Sequence, residues 1–484
     1  MGRIVNVHAA TPRSADAVKL PVMRRILVSV LLACLTACRG PGGVQQQTPP
    51  AHPNILLIVL DTVRYDATPA DPTSSNSMPF FSSLIRAGVN FTQAYSTFDS
   101  TPHSHFSMLT GFHSGLSSDL DVPEHSVAYH LGKAGYHTFG VAANGNLSQR
   151  SSLFLKPFHR YTCLLDVWQA MSTTELTKEL GWIDPALQAY GLAPNAFNRL
   201  MRYTSARTVM SIFKQEMSAI RTPFFGFINL VDAHDPYIPD PSSYDATERE
   251  RKWAHAGFNS DLRERKLPAE VTNPASIADK GRRDRVLDAL AKTSTGVDSY
   301  RRWQTAFDLS GDALEIYRSR YRASVRQLDS VLREVSETLE RQRLIDTTLV
   351  IITSDHGEAF GEQDLITHWF LNRGDREVTN RIPLVILFPT VYGVGARTVS
   401  APVVGSDIAP TVYDLVGLDW SSLPRKAHPG NFGKSLLPLL GTGGMTAGQR
   451  RAIEIGPPSA TELERERARK ESEERLRSLG YIGH

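Results

Sequence analysis

The sequence is poor in cysteine, with only three residues, Cys34, Cys38 and Cys163. This number is too small for a disulfide framework or for a zinc cluster held by cysteine thiolates. An excess of one charge is also lacking, because 53 basic and 50 acidic residues leave a formal net charge of +3. A balanced chain gives no electrostatic case for nucleic-acid binding, which usually needs a strongly basic face.

Long apolar runs are almost absent, and the exception lies near the start of the chain. Two arginines after Met23 precede an apolar run of about a dozen residues, the pattern of a secretory signal. The run ends in Leu35-Thr36-Ala37-Cys38, which resembles a bacterial lipobox. We therefore predict a signal peptide over residues 1–38, with a lipid on the Cys38 thiol. A plain cleaved signal without lipid is the alternative.

Residues 39–52 are rich in glycine, proline and glutamine, a composition typical of a flexible linker. No later run of apolar residues is long enough to predict a membrane-spanning helix. The sequence therefore predicts an exported, periplasmic protein that is attached to a bacterial membrane through Cys38.

Strand-like and helix-like segments alternate from residue 52 onward. HPNILLIVLD over 52–61 is a continuous apolar run, as expected for a strand buried on both faces. An amphipathic helix over 317–344 leads directly into the strand TTLVIITSDHG. The same pattern predicts a helix in HSVAYHLGKAG and strands in YHTFGVAA, FFGFINLVDAH and IPLVILFP. This alternation predicts an α/β fold with a mainly parallel sheet covered by helices.

Two stretches, 154–215 and 238–312, are rich in charge and tryptophan and have weak periodicity. We interpret them as insertions over the edge of the sheet, where substrate specificity is usually built. Residues 441–484 form a predicted C-terminal tail. Within it, 461–479 is a charged segment of mixed sign, which predicts a solvated helix held by i,i+4 pairs.

Polar residues follow two of the predicted buried strands. Asp61 ends the first strand, and Asp355 and His356 end the strand TTLVIITSDHG. In open α/β sheets the ligand crevice lies at the carboxyl ends of the strands. A single aspartate at such a place is commonly a turn former, but carboxylates and an imidazole together suit a divalent cation.

A hydroxyl-rich loop, DSTPHSHFSMLTG, opens a predicted helix over 99–111. Either Ser100 or Thr101 would lie at the positive end of the helix dipole, which favours an anion or an alkoxide. A simple helix cap by one of these residues is the alternative. Two isolated histidines complete the polar set: His234 follows a predicted strand, and His368 lies in a loop beyond Glu358.

Taken in order, these segments resemble the sulfatase family of the alkaline phosphatase superfamily. The resemblance covers residues 53–440, which we assign to one sulfatase-like catalytic domain. It implies an alkaline-phosphatase-like three-layer α/β/α sandwich with a smaller C-terminal subdomain. The segments that carry the resemblance are PNILLIVLDTVRYD, FFSSLIRAGVNFTQAYST, LTG, LGKAGYHT, HDPYIP, TSDHGEAFGE, RIPLVILFP, SDIAPTVYDLVGL and GKSLLPLL.

The resemblance also implies roles for individual residues. The metal ligands would be Asp61, Asp355, His356 and Thr101, around one divalent ion, which could be Ca²⁺, Mn²⁺, Mg²⁺ or Zn²⁺. Thr101 would also be the nucleophile. Three histidines would be the other catalytic residues. His234 would lie near the leaving group, and His105 takes the place where many members have an arginine. His368 takes the place where other members have a lysine or histidine that binds the anionic oxygens of the substrate. His105 and His368 would donate hydrogen bonds to those oxygens.

The sequence departs from the family pattern at the nucleophile. Members that carry formylglycine begin this motif with Cys or Ser, followed by x-Pro-x-Arg. Counting back from Thr110-Gly111 places Thr101 at the first position, whereas counting from Pro102 places Ser100 there. Neither register contains the arginine, so we predict that no formylglycine forms.

Two further departures concern the metal and the substrate oxygens. The second aspartate that the family has after the first strand is Thr62 here. The Lys–His pair expected after the strand YHTFGVAA is replaced by AANGNLS.

These features predict a metal-dependent hydrolase of sulfuric, phosphate or phosphonate esters with an unmodified threonine nucleophile. Its substrate would be a small anionic ester or an envelope glycan or lipid. Two alternatives stay open: a transferase that moves a phospho-alcohol group onto envelope glycans or lipids, and a non-catalytic binding lipoprotein.

Overall fold

The computed structural model describes residues 53–113, 120–192, 194, 196–242, 244, 273–281, 283–284, 287, 311–362, 366–368, 376–389, 392–418 and 432–440. The predicted signal peptide, the linker and the charged helix of the tail lie outside the described residues, as does most of the second insertion. Across the described ranges, no helix combines the length and the apolar character needed to cross a bilayer.

Hydrophobic β-branched and aromatic runs form the strands. In the described part of the chain these are β1 Asn54–Leu60, β2 Val89–Tyr95, β3 His137–Ala142, β4 Arg160–Cys163, β5 Phe224–Leu230, β6 Thr348–Thr353, β7 Ala359–Phe360, β8 Ile366–Thr367, β9 Arg381–Leu387, β10 Arg397–Val399 and β11 Val403–Val404. The central sheet has the order β10-β2-β9-β6-β1-β5-β3-β4, with β11 also paired to β2.

The sheet is mostly parallel, as the alternation of segments predicts. The central strand β1 pairs in parallel with β5, in a register that aligns Leu57 with Phe227, and with β6 on its other side. Only β9 runs against its described neighbours β2 and β6. Because β1, β3, β5 and β6 are parallel, their carboxyl ends meet at one edge of the sheet.

Helices cover both faces of this sheet. Their bounds are α1 Pro79–Ala87, α2 Thr101–Thr110, α3 Val127–Lys133, α4 Leu164–Ala170, α5 Thr173–Ala189, α6 Ala196–Tyr203, α7 Ala206–Ser218, α8 Gly311–Arg341, α9 Arg376–Thr379, α10 Ile408–Leu415 and α11 Leu437–Leu440. The predicted helix that ends before Gly135 is α3, and Gly135 has a φ of +89°, a conformation that glycine adopts without strain.

Alternating residues of β1 divide the core into two layers. Leu56, Ile58 and Leu60 pack with side chains of α1, α5, α7 and α8. Ile55, Leu57 and Val59 pack with side chains of α2, α3 and α10 on the opposite face. Burial of β1 on both faces explains why its sequence is a continuous apolar run. The three-layer α/β/α sandwich is therefore confirmed.

The first insertion is more regular than its sequence indicates. Residues 164–218 form four helices, and Val209, Phe213 and Met217 of α7 are fully buried against the sheet. The prediction of an irregular segment over the sheet edge is wrong for α7, which is part of the core layer. The C-terminal portion, which the resemblance assigns to a smaller subdomain, joins the main sheet through β10 and β11.

The long helix α8 supplies much of one core layer, so its apolar face should contribute strongly to stability. We expect Leu328→Ala to lower the free energy of unfolding by about 2–5 kcal/mol, because Leu328 is 0% exposed and its loss leaves a cavity. Urea unfolding followed by circular dichroism would measure this. The control is Ser330→Ala at an exposed position of α8, which should change the free energy by less than about 0.5 kcal/mol. Equal effects of the two substitutions would contradict the packing assigned to α8.

Candidate active site

The carboxyl ends of the four central parallel strands carry a set of buried polar side chains. This edge is where the crevice of an open α/β sheet lies. The residues at or after these strand ends are Asp61 after β1, Asn144 after β3, Asn229 and His234 at and after β5, and Asp355 and His356 after β6.

Three of these residues form a candidate cation site. One ligand atom from each of Asp61, Asp355 and His356 lies within 4.8 Å of the others, and all three residues are 0% exposed. The Nδ1 of His356 donates to the carbonyl oxygen of Gly357 at 3.0 Å. This bond leaves the lone pair of Nε2 on the side of Asp355, whose Oδ2 is 3.4 Å away. The structure thus brings together the three ligands predicted from the strand ends.

One oxygen of each carboxylate is satisfied by hydrogen bonds. Asp61 Oδ2 accepts from the side-chain amides of Asn144 at 3.0 Å and Asn229 at 3.1 Å. Asp355 Oδ1 accepts from the backbone N–H groups of Thr62 at 3.1 Å and His356 at 2.9 Å. These bonds fix the orientation of both carboxylates.

The other two oxygens, Asp61 Oδ1 and Asp355 Oδ2, are buried and have no hydrogen-bond partner within the described ranges. Burial, and then the nearby Asp355 carboxylate, raise the pKa of Asp61. Two adjacent buried carboxylates with unpaired oxygens are costly unless a positive charge offsets them. The donor set, two carboxylate oxygens and one imidazole nitrogen, therefore fits a divalent cation.

The hydroxyl of Thr101 lies next to this group of three residues. Its Oγ1 lies 3.4 Å from His356 Nε2 and accepts from Asn144 Nδ2 at 3.2 Å. Thr101 is the first residue of α2, directly after the extended Ser100. The Oγ of Ser100 lies instead 2.7 Å from Nδ1 of His103. Of the two hydroxyls that the sequence leaves open, that of Thr101 is therefore the one beside the candidate ligands.

The position of α2 follows from contacts along its whole length. All ten of its residues are buried. The Oγ of Ser104 donates to the carbonyl oxygen of Asp355 at 2.6 Å, which ties the first turns of α2 to the end of β6. The helix ends at Thr110, and the next residue, Gly111, has a φ of +88° and approaches Phe432 so closely that a side chain would not fit there. Both ends of α2 are thereby fixed, and so is Thr101.

His105 is placed one turn after Thr101, where burial sets the charge of its ring. Its Nδ1 donates to the carbonyl oxygen of Thr101 at 2.8 Å, and burial lowers the pKa of His105 to about 4. The ring is therefore neutral at pH 7, with a lone pair on Nε2. In this state Nε2 accepts a hydrogen bond or binds a cation, and donation to substrate oxygens stays a prediction that requires a protonated ring.

A row of three histidine rings lies beside the candidate ligands. The rings of His234 and His368 have centroids 5.0 Å apart, and those of His368 and His356 are 4.4 Å apart. Nδ1 of His234 donates to the carbonyl oxygen of Asp235 at 2.8 Å, and Nδ1 of His368 lies 3.0 Å from Oε1 of the buried Glu358. His234 is half-buried, whereas His356 is fully buried. His234 therefore lies on the more accessible side of the site.

Asn144 and Asn229 are not among the site residues predicted from the sequence. The segment AANGNLS is notable there only for the loss of a Lys–His pair, yet Asn144 contacts both Asp61 and Thr101. The position of Asn144 after a buried parallel strand is the same signal that identified Asp61, and it could have been used. The sequence predicts only that Glu358 is near His368 in the chain. In the structure Glu358 is buried and contacts the His368 ring, and this burial raises the pKa of Glu358 well above its usual range.

Thr62 occupies the place of the family's second aspartate and contributes through its backbone. Its hydroxyl lies 2.8 Å from the carbonyl oxygen of Ala233, while its N–H donates to Asp355. The φ of Thr62 is +60°, which is strained for a β-branched residue. Backbone strain of this kind is found mostly at functional sites, where the surrounding structure holds it.

Comparisons with known proteins agree with this fold. The family model described as Sulfatase matches residues 53–418. A choline-sulfatase from Rhizobium meliloti (strain 1021) is 22% identical over 80% of this chain and 71% of its own length. The solved structures of phosphonate monoester hydrolases from Agrobacterium radiobacter and Silicibacter pomeroyi are similar to this chain, with TM-scores of 0.53 and 0.56. Each is 20% identical in sequence, and each alignment covers 82% of this chain and 78% of the hydrolase chain. At this identity the two solved structures show the fold.

If the unpaired carboxylate oxygens hold a cation, removing one should release it. We expect Asp355→Asn to lower the affinity for a divalent ion by more than about tenfold, because a charged ligand is lost. The measurement is metal content by mass spectrometry after loading and dialysis. Asp346→Asn, at an exposed position shortly before β6, is the control and should keep the wild-type content. Equal metal content in both variants would exclude Asp355 as a ligand.

Proposed function

The chain belongs to the sulfatase family and is a sulfatase-like ester hydrolase, and from this premise we propose that it is a metal-dependent hydrolase with unmodified Thr101 as nucleophile. Its substrates are sulfuric, phosphate or phosphonate esters. The observation that supports this most is the position of Thr101 Oγ1, which lies 3.4 Å from His356 Nε2 and accepts from the Asn144 amide that also donates to Asp61.

The chemistry of threonine itself argues against formylglycine. Formylglycine is an aldehyde that forms from a side chain with a CH₂ group at Cβ, as in cysteine or serine. Oxidation of Thr101 at Cβ would give a ketone, because that carbon carries a methyl group. Cys163 offers no substitute nucleophile, since it is buried and the pKa of its thiol is raised to about 11.

Asp61, Asp355 and His356 would hold the divalent ion, with Thr101 as a further ligand. When bound, such an ion lowers the pKa of a coordinated hydroxyl and offsets negative charge on the group being transferred. Ca²⁺, Mn²⁺, Mg²⁺ and Zn²⁺ are all compatible with two carboxylates, one imidazole and one hydroxyl oxygen.

Asn144 would prepare Thr101 for attack. Its amide donates to both Thr101 Oγ1 and Asp61 Oδ2. A donor fixed on the attacking oxygen stabilises the alkoxide form and orients the remaining lone pairs. Asn229 holds Asn144 in turn, because its Oδ1 accepts from the Asn144 backbone N–H at 2.9 Å.

The reaction would proceed in two displacements. Thr101 Oγ1, already deprotonated to the alkoxide, forms a bond to sulfur or phosphorus while the bond to the leaving oxygen breaks, and the protonated His234 gives that oxygen its Nε2 proton. Water then attacks the covalent ester and gives a proton to the neutral His234, while the bond to Thr101 Oγ1 breaks and returns the alkoxide. His368, held by Glu358, would bind the anionic oxygens of the transferred group. Since Nδ1 of His234 is held by a backbone carbonyl, Nε2 is the nitrogen that exchanges the proton.

The proposed setting is outside the cytoplasm. A signal peptide and a lipid on Cys38 would place the enzyme at a bacterial membrane with access to small anionic esters or to envelope glycans and lipids. Treatment of cells with labelled palmitate would test the lipid, since Cys38→Ser should abolish the label.

The nucleophile is tested by three variants. We expect Thr101→Ala to lower kcat by more than about a thousandfold, because the attacking atom is removed. Ser100→Ala should stay within about tenfold of wild type, since the Ser100 hydroxyl contacts His103 and not the ligands. Thr101→Ser, which keeps the hydroxyl, is the matched control and should retain activity. Loss of activity in Ser100→Ala together with full activity in Thr101→Ala would reject Thr101.

Metal removal provides a second test. Dialysis against EDTA should reduce the hydrolysis of aryl sulfate, aryl phosphodiester and phosphonate monoester substrates to background. Adding Ca²⁺, Mn²⁺, Mg²⁺ or Zn²⁺ separately should then identify the ion that restores hydrolysis. Turnover that persists in protein shown to be metal-free would reject the metal-dependent mechanism. The same assay separates the alternatives: a transferase passes the group to added glycerol, and a binding lipoprotein turns over no substrate.

A further inference from the structure

A recess rich in arginine lies between α8, β7 and the segment that follows β1. Its volume is about 120 Å³, which is room for several water molecules or for one tetrahedral oxyanion. Three arginines, Arg64, Arg318 and Arg322, and two carboxylates, Asp66 and Glu362, are among the residues that line it. None of its described lining residues is a proposed metal ligand or a residue proposed for the reaction.

One arginine, Arg64, engages both carboxylates of the recess. Its Nε and Nη2 donate to the two oxygens of Asp66 at 2.8 and 2.6 Å, and its Nη1 donates to Oε1 of Glu362 at 2.8 Å. Oε2 of Glu362 accepts from the backbone N–H of Phe360. Each of these carboxylate oxygens therefore has a donor already, and the charge of Arg64 offsets part of theirs.

The other two arginines keep donors for a ligand. Arg318 uses one N–H, on Nη2, for the carbonyl oxygen of Phe360 at 2.6 Å. A guanidinium has five N–H groups, so most of the donors of Arg318 stay available. The guanidinium of Arg322 is exposed and makes no hydrogen bond or ion pair with any residue that the structure describes. Since Arg322 comes four residues after Arg318, the two cations lie on one face of α8.

The segment around Asn76 is fixed against α8 and adds a neutral donor. Nδ2 of Asn76 donates to the carbonyl oxygens of Ala67 at 2.9 Å and Arg322 at 3.4 Å. Its Oδ1 accepts from Nη1 of Arg326 at 3.3 Å. The neighbouring Ser75 is exposed and lines the recess, and its hydroxyl has no partner within the described ranges. The wall of the recess is therefore formed before a ligand binds.

Tyr321 connects the recess to the edge of the sheet that carries the candidate cation site. Its hydroxyl donates to the carbonyl oxygen of Thr62 at 3.0 Å and accepts from the backbone N–H of Arg64 at 2.9 Å. The N–H of Thr62 donates in turn to Asp355. A ligand in the recess is therefore near the candidate metal ligands in the structure but does not contact them.

We propose that this recess is a second anion site, in which Arg318 and Arg322 bind a sulfate or phosphate group. Arginine forms short, charge-assisted hydrogen bonds with such oxyanions, and two guanidinium groups match their several oxygens. A cation is disfavoured, because the carboxylate oxygens are already used and the arginines outnumber the carboxylates. The group belongs either to a free inorganic ion or to an anionic polymer. Binding does not depend on the chemistry proposed for Thr101, so it is tested without turnover.

Selenate and inorganic sulfate are the probes. Selenate is a tetrahedral dianion that scatters X-rays anomalously, and crystals of the protein soaked in it should show an anomalous peak between the guanidinium groups of Arg318 and Arg322. Calorimetric titration with sulfate at low ionic strength measures the affinity. The protein is first freed of metal, since the unpaired carboxylate oxygens of Asp61 and Asp355 then repel an anion at the reaction centre.

Arg322→Gln should weaken sulfate binding by at least about tenfold, because charge-assisted hydrogen bonds are lost. The matched control is Arg333→Gln, which removes the same charge from an exposed position of the same helix, where the guanidinium lies over the Phe80 ring. It should stay within about twofold of wild type, and unfolding curves check that both variants are folded. Equal affinities of the three proteins, or selenate bound only at the reaction centre, would overturn the proposal. Half-saturation only above about 100 mM would mark an adventitious ion only and would overturn it as well.

A short sulfated oligosaccharide separates the two sources of the group. If it binds wild type at least about tenfold more tightly than sulfate and Arg322→Gln weakens it, the source is a polymer. If it binds no more tightly than sulfate and Arg322→Gln weakens both alike, the source is the free ion. An oligosaccharide whose affinity is unchanged in Arg322→Gln, while that of sulfate falls, binds elsewhere and also identifies the free ion. Absence of ester hydrolysis would reject the proposed function and leave these binding results standing.

Discussion

Asp61 and Asp355 are held side by side in the interior, and the repulsion between their carboxylates is the constraint on which the rest of the site depends. The parallel pairing of β1 with β6 forces their strand ends together. Hydrogen bonds from asparagine side chains and from backbone N–H groups satisfy one oxygen of each residue. The other oxygen of each residue has no hydrogen-bond partner among the described residues, and the two carboxylates repel each other. A bound cation would offset this repulsion.

The same constraint explains how the neighbouring elements are arranged. Helix α2 is attached to the end of β6 through Ser104, so Thr101 reaches the ligand group from a fixed helix start. Asn144 joins Asp61 to the hydroxyl of Thr101, and this link would orient the proposed nucleophile in a site that lacks the family's Lys–His pair. The neutral His105 is consistent with this arrangement, because a second positive charge is not needed where a cation would bind.

The residues proposed for the reaction lie at strand ends of the sheet and on α2. Such positions hold side chains rigidly, because the paired strands and the buried helix cannot shift independently. Thr62 is an example of the rigidity of the strand ends, since its strained backbone is held by contacts to Asp355 and Ala233.

The amino-acid sequence was enough to predict the layered α/β fold, because the spacing of apolar residues shows which faces of a strand or helix are buried. It was also enough to predict Asp61, Asp355 and His356 as candidate ligands, because polar residues after strands that are buried on both faces lie where such sheets bind ligands. It could not choose between Ser100 and Thr101, since adjacent hydroxyls at a helix start differ only in direction. It also leaves Asn144 without a role, although that residue follows a buried parallel strand as Asp61 does, because only tertiary packing brings its amide to Asp61 and Thr101. Tertiary packing places the Thr101 hydroxyl, and not that of Ser100, next to His356, because side-chain direction depends on how distant segments pack. The core position of α7 depends on the same long-range packing.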